Sequence, residues 1–532
     1  MNRWYYFTAL AVMIFSLAAL ARITLALQPG LWADEIFSLA MATGHSLEHP
    51  ASEANSTFGD YIEPPEARPG TEFKGYLQHD KSPAGPQRVI RAVFLSDTSP
   101  PLYYLLLNLW TRVTGTSDAA LRLFSVLWAL ACFPLIWLVG KKIEGKQTAW
   151  IACILFSCAP AALYYSTEGR MYSLLWFLDL SLAQLSFLIA RRGPRPHLFL
   201  LWSINAAAGL LTHYFFVFLF SACFAWLVLH PGKMSRVQPF AMAALTGLLV
   251  LPWYIHIPES LTLWRVTAGW LDYPLSLKQA LSAPFLLMWS FLSGRGIWGG
   301  SVWVDRFAAG IYMVLAIITV WQGFARLLGK HRQLLWLWLL GACLGPLIFD
   351  LIRNTNASLI ARYALPGLPA GLLLAAMVIN WLPHRFKVTI VALIILAWVP
   401  GIQGVFSKPS RPGEPFPEVV NRIAAQAKPC DLVIVHSTPS GVLGIARYLN
   451  TKTPIASWVV QLNQRRVHED MNKLVTGREK IALVKIHYVG EKSPAEEWLR
   501  AHTTLERQEK LHSSTEILYF QSKPPADKSE NR

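Results

Sequence analysis

Charge is what this 532-residue sequence has least of: 15% of its residues are Asp, Glu, Lys or Arg, where a soluble chain carries about a quarter. Cysteine is scarce as well. Of six, Cys132, Cys153, Cys158, Cys223 and Cys343 sit in apolar runs and Cys430 stands alone, so no disulfide framework or CxxC metal site is readable. No repeat recurs at a fixed period. What fills the sequence instead is apolar: 53% hydrophobic residues, with 22 Trp and 27 Phe. That composition excludes disorder, a disulfide scaffold, a coiled coil and a string of soluble domains. A polytopic membrane protein remains.

The net charge of +16 would raise the question of nucleic acid in a soluble protein. Its placement answers differently. The basic residues cluster between apolar runs, at Lys141/Lys142/Lys146, Arg191/Arg192/Arg195, Lys233/Arg236, Arg326/Lys330/Arg332 and Arg385/Lys387, and only Glu144 interrupts them. Such clusters mark cytoplasmic loops under the positive-inside rule. No nucleic-acid partner is expected.

The first apolar run, near residues 4–27, is too long for a signal peptide and lacks a clear cleavage site, so it reads as a retained helix. Ten further runs of about 17–22 residues, long enough to cross a bilayer, lie near 119–140, 147–165, 172–190, 197–212, 214–230, 238–257, 306–325, 334–350, 363–381 and 388–404. Eleven crossings put every basic cluster on one side, with the N-terminus cytoplasmic and the C-terminus on the opposite face. The far face receives a first loop of residues 28–118, the turns near Tyr165–Tyr172 and Thr212–Tyr214, the stretch 258–305 and the turn 351–362. Within the first loop, Glu35–Thr43, Gln87–Leu95 and Pro101–Thr111 read as interfacial helices and the middle as irregular. Leu277–Phe291 reads as a surface helix, since a further span would invert the charge pattern of the last three loops. The expected fold is therefore mainly α: a transmembrane bundle over 1–405 and a small external α/β domain over 406–532. In that domain Asp431–His436, Ile455–Val460, Ile481–Ile486 and Ile517–Phe520 read as strands. It has neither a GxGxxG nor a P-loop motif, and a structural or partner-binding cap is its plainest role.

The residues with chemical potential gather at the outer ends of the spans. They are Trp32-Ala33-Asp34-Glu35; Ser99-Pro100-Pro101-Leu102-Tyr103-Tyr104; Tyr164-Tyr165-Ser166-Thr167-Glu168-Gly169-Arg170-Met171-Tyr172; Thr212-His213-Tyr214; and Ala361-Arg362-Tyr363-Ala364-Leu365-Pro366. Each has a plain structural reading. An acidic pair opening a helix caps it or favours its first turn, arginines at span ends snorkel, tyrosines form an aromatic belt, and a lone histidine at a helix end packs.

Taken together, in order and spacing over about residues 1–405, these segments resemble the GT-C superfamily of membrane glycosyltransferases, in particular the family 39 relatives that include protein O-mannosyltransferases and the lipid A aminoarabinose transferase. The resemblance implies transfer of a sugar from a polyprenyl-phosphate carrier to a lipid, glycan or protein acceptor, at the outer face of a plasma (inner) membrane, with inversion. It implies that Asp34 is the general base, with Glu35 as second choice. Arg170, Arg362, Tyr363 and Ser99 would surround the donor phosphate; Tyr103, Tyr165, Glu168, His213 and Tyr214 would line the substrate. Arg295 is a weaker cationic candidate. No cofactor is assigned, and a divalent metal is left open, because one acidic pair without a firm histidine partner says little.

One position departs from the pattern. Where the aminoarabinose transferase has a lysine before the Pro-Pro pair, and many relatives a histidine, this sequence has Ser99. A hydroxyl donates a hydrogen bond but brings no charge, so the aminoarabinose donor is not implied. Two other functions stay open: an oligosaccharide ligase or polymerase using diphosphate-linked donors, and a transporter of a lipid-linked substrate. A transporter is expected to carry charges at mid-membrane, and Asp179 is the main one well inside a run.

Overall fold

The computed structural model describes residues 3–49, 54–97, 99–193, 195–260, 273–293, 302–321, 326, 328–407, 414–426, 430–449, 452–459 and 468–522; Arg295 falls outside them. The chain forms two compact units. Unit 1 comprises Met1–Leu27, Thr98–Tyr103 and Arg122–Ser407, and unit 2 comprises Gln28–Asp97, Tyr104–Leu121 and Lys408–Arg532. The first external segment thus groups with the C-terminal residues, across the boundary expected at residue 405.

Unit 1 is helical, and a helix underlies each of the eleven apolar runs. Asp118–Glu144, Tyr172–Arg192, Lys330–Arg353, Ala361–Asn380 and His384–Ser407 are long and apolar enough to cross a membrane; Val12–Ala26, Phe216–Leu229 and Arg306–Trp321 are shorter apolar helices. A 24-residue helix such as Lys330–Arg353 rises about 36 Å at 1.5 Å per residue, more than the ~30 Å hydrocarbon layer. The helices approach closely where side chains are small. A Cβ on Gly140 would stand 2.9 Å from the Ala149 backbone of the next helix, and one on Gly345 would enter the Phe218 ring at 2.2 Å.

The run expected as one span over 147–165 is two helices, Lys146–Cys158 and Pro160–Tyr165. Pro160 has no N–H to give the Phe156 carbonyl four residues back. Arg22, fully buried in the first helix, supplies the missing donor: Nη2 donates to the Phe156 carbonyl at 2.9 Å and Nε to Ser166 Oγ at 3.1 Å. Its guanidinium also lies over the Phe133 and Phe156 rings.

At the other end of the helices Glu144 acts as a hub for the basic clusters. It pairs with Arg332 and with Arg326 at 3.6 Å, and accepts from Trp381 Nε1 at 3.2 Å. Helix Leu277–Leu292, read as a surface helix, buries Ala283, Leu287 and Phe291 and exposes Leu277, Leu281 and Phe285. Phe291 lies against Gly367, so the helix packs beside the Arg362 end of the bundle.

Unit 2 is built on a six-stranded sheet of order β1-β3-β2-β4-β6-β5: β1 Arg68–Pro69, β2 Leu432–Ser437, β3 Pro454–Val459, β4 Lys480–Ile486, β5 Thr503–His512 and β6 Thr515–Ser522. β2 pairs in parallel with β3 and β4, Ile434 lying between Ala456 and Leu483. β6 and β5 complete one side as an antiparallel pair. All four expected strands are present. The first external segment adds β1, with Arg68 opposite Ile455. Three expected interfacial helices appear as Ala33–Thr43, Pro86–Ser96 and Leu102–Thr114. Ala33–Thr43 has buried residues on all sides and packs against Pro439–Tyr448 and Pro86–Ser96, which is not the one-sided burial of a surface helix. A network of charges ties the unit together. Asp118 accepts from Arg447 at 2.8 Å, Tyr448 at 2.6 Å and the Gly30 N–H at 3.0 Å. Lys485, 1% exposed, lies between Glu496 at 2.7 Å and Glu516 at 3.1 Å.

Candidate active site

In unit 1 the motif segments meet at one end of the bundle. The Leu102 N–H, in the Pro-Pro-Leu-Tyr-Tyr segment, donates to the Leu211 carbonyl at 2.9 Å, beside Thr212–His213–Tyr214. Tyr363 packs against that turn, its ring edge-on to Phe215 with centroids 5.6 Å apart and tilted to His213 at 6.5 Å. The Arg362 guanidinium sits over the Tyr363 ring at 5.6 Å. From the helix that follows the Glu168–Arg170 turn, Trp176 Nε1 donates to the Leu365 carbonyl at 2.8 Å, and Trp338 Nε1 donates to Pro366 at 2.7 Å. Indole donors thus satisfy carbonyls around a proline that cannot continue an α-helix. The result is a rigid turn presenting Arg362, half-buried at its edge.

Asp350 builds the approach to that turn. Its carboxylate accepts from Thr355 Oγ1 at 2.6 Å and from the Ala357 and Ser358 N–H groups, each at 2.7 Å. Sequence reasoning passed over it because Asp350 closes an apolar run, where an acid reads as a boundary. A carboxylate with three donors is a turn nucleus, and the Asp-x4-Thr-x-Ala-Ser spacing was the available signal.

The other unit 1 candidates are closed in. Arg170 and Glu168 are 7% and 3% exposed and form a tight turn through the Arg170 N–H and Glu168 carbonyl. Tyr165 packs between Tyr164 and Tyr172. Tyr103 is fully buried, its ring tilted against Phe124 with centroids 5.7 Å apart. His213 Nδ1 accepts the Phe215 N–H at 3.1 Å, so a neutral ring carries its proton on Nε2. Tyr214 accepts from Trp253 at 3.0 Å. Ser99 is half-buried in the turn before Leu102.

Unit 2 holds the acidic pair. Trp32 is the N-cap of helix Ala33–Thr43, so Asp34 stands one residue inside the helix and is not its cap. Glu35 is fully buried and its Oε2 accepts the Trp32 N–H at 3.2 Å. Asp34 is half-buried at the positive end of the helix dipole, where a carboxylate is stabilised. Glu414 accepts the Ala33 N–H. Among the described residues, no group of three or more His, Cys, Asp or Glu side chains is placed to hold a metal ion.

Residues 98–256 match the family described as dolichyl-phosphate-mannose-protein mannosyltransferase. That stretch holds the Pro-Pro-Leu-Tyr-Tyr, Glu168–Arg170 and His213 segments. The crystal structure of ArnT from Cupriavidus metallidurans in the apo state superimposes with a TM-score of 0.56 at 11% identity, covering 96% of this chain and 98% of that one. The two proteins share a fold over nearly their whole lengths. The same protein bound to undecaprenyl phosphate gives a TM-score of 0.54 at 10% identity, again covering 96% of this chain and 98% of that one. No curated protein matches the sequence. At 96% coverage of this chain, the match takes in residues of both units.

Proposed function

We propose that this protein transfers a sugar from a polyprenyl-phosphate carrier to an acceptor at one face of the membrane. The observation that carries the reading is the Arg362–Tyr363 turn, braced by His213, Trp176 and Trp338, in a fold shared with a protein seen with undecaprenyl phosphate. When the sugar's anomeric carbon is attacked, the bond to the carrier phosphate breaks and charge grows on the departing phosphate oxygen. A guanidinium held by packing stabilises that charge without reorganising; Arg362 has this role and Arg170 supports it. Asp34 takes the proton from the acceptor hydroxyl as it attacks. The acceptor is a lipid, glycan or protein, and the active face is the one opposite the Glu144 hub, periplasmic in a bacterial plasma membrane.

Purified protein incubated with a polyprenyl-monophosphate sugar tests this reading. Arg362→Ala should lose about 2–4 kcal/mol of transition-state stabilisation, the scale of one oxyanion donor, and Arg362→Lys should recover part, keeping the charge but losing the planar fork. Unchanged turnover in a folded Arg362→Ala variant refutes the assignment. Activity on diphosphate-linked oligosaccharide alone would make the protein a ligase or polymerase.

A further inference from the structure

Unit 2 contains a short chain of contacts that the transfer chemistry does not use. The Ala33 N–H, at the first residue of the Asp34 helix, donates to Glu414 Oε2, and Glu414 Oε1 pairs with His487 Nε2 at 2.9 Å. The chain links the first external segment to a residue just before helix Phe416–Ala424 and to one just after β4. Glu414 is 7% exposed, while the His487 side chain keeps 36% of its surface open. His487 also has a left-handed backbone, φ 71°, with its N–H donating to the Ser514 carbonyl at 2.6 Å. A non-glycine residue in that region is held there by its surroundings at an energetic cost.

Three acids act on the ring: Glu414, Asp34 and Glu48. Without a cation among them their carboxylates repel one another, and Glu414 would be driven from the helix terminus it occupies. Burial works against a charge on His487. The Glu414 bond and the fields of Glu414, Asp34 and Glu48 outweigh burial, so the imidazole holds its proton above its ordinary pKa.

We propose that His487, as an imidazolium, is a positioning residue: it pins Glu414 against the N-terminus of helix Ala33–Thr43 and so fixes the aim of Asp34. The inference rests on the reading of Asp34 as the base. Its pH direction follows from the sign of the shift. The pinned arrangement is complete below the ordinary histidine value of about 6.5 and is lost as pH rises through the higher folded value.

The test uses full-length protein in lipid nanodiscs, comparing wild type, His487→Gln and Glu414→Gln. Amide exchange of the segment around Ala33 is followed from about pH 6 to 9, across the histidine range, and corrected for intrinsic rates. Wild type should lose protection as pH rises, while both variants should show a low, flat profile. In transfer assays His487→Gln should lower kcat, leave KM for the donor unchanged and remove the alkaline limb seen in wild type. Superimposable exchange in wild type and His487→Gln overturns the contact chain. A changed exchange profile with an unaltered kcat–pH profile overturns the positioning role. Normal transfer by Asp34→Asn removes the base, a failure of the functional reading that the exchange measurement registers separately.

Discussion

The two units solve the problem of charge in opposite ways. Unit 1 holds seven of the 32 acids, Glu144, Glu168, Asp179, Glu259, Asp272, Asp305 and Asp350, and unit 2 holds the rest. In unit 1 the polar side chains mostly repair backbone: Arg22 supplies a donor that Pro160 cannot, Trp176 and Trp338 cap turn carbonyls, and Asp350 gathers three donors. Unit 2 instead joins side chain to side chain, in the Asp118–Arg447 and Lys485–Glu496–Glu516 pairs. The difference is what lipid and water dictate. Hydrocarbon offers no partner to an unpaired N–H or C=O, so the polar side chains just named are spent on completing the backbone. An aqueous unit can carry spare acids.

That contrast narrows the chemistry. Among the described acids of unit 1, Glu144 serves the opposite end, about 27 Å from Asp350 by the separation of Arg332 and Asp350 along one helix. Asp350 is committed to its turn, and Asp179 is buried within Tyr172–Arg192. Glu259 faces His256 at 3.8 Å. Glu168 alone lies in a motif segment. Glu168 and Asp34 are the two acids in motif segments that the proposed transfer can be tested on.

Three substitutions separate the behaviour of the two units. The largest effect belongs to Lys485→Met, which takes the buried cation from Glu516 and leaves Glu496 with Arg500 alone. Loss of one partner from such a pair costs about 3–5 kcal/mol, read as unfolding of unit 2 ahead of unit 1 in urea. Burial of Glu496 is outweighed by Lys485 and Arg500, so its pKa lies below the ordinary carboxylate value. That contribution is present at neutral pH and is lost as pH falls through the lowered value. Lys485→Met should therefore also flatten the acid limb of unit 2 stability. Arg22→Met should cost less, about 1–3 kcal/mol for the orphaned carbonyl, and should lower the thermal stability of unit 1 in detergent while leaving unit 2 unaffected. Asp179→Asn should have the smallest effect. Transfer within about twofold of wild type would agree with a structural position; loss of activity would revive a transport or relay role at mid-membrane.

Much of this was legible in the sequence because it is local. Apolar runs gave the helices, basic clusters marked one end, and β2, β3, β4 and β6 are short apolar runs buried in the sheet. Edge strand β5, Thr-Thr-Leu-Glu-Arg-Gln-Glu-Lys-Leu-His, escaped because an exposed edge is charged for the same reason a solvated helix is. β1 escaped because two residues carry no periodicity. Arg22 reads only as a cost until it is seen that Pro160, far along the chain, leaves a carbonyl for it. The bond from the Trp32 N–H to Glu35 follows from three-residue spacing at a helix start, a local signal the sequence carries. The Glu414–His487 chain is invisible in the sequence, since its members come from three separate segments.

The proposed transfer assigns the base to Asp34. Asp34→Asn isolates it, since the amide keeps the side chain's size and removes basicity. Thermal stability, affinity for undecaprenyl phosphate and transfer from a polyprenyl-monophosphate sugar should be measured on the same purified variant. The account predicts unchanged stability and lipid affinity with transfer reduced about 10²–10⁴-fold, the scale of a lost general base. Transfer at the wild-type rate by Asp34→Asn would contradict it and shift the base to Glu168.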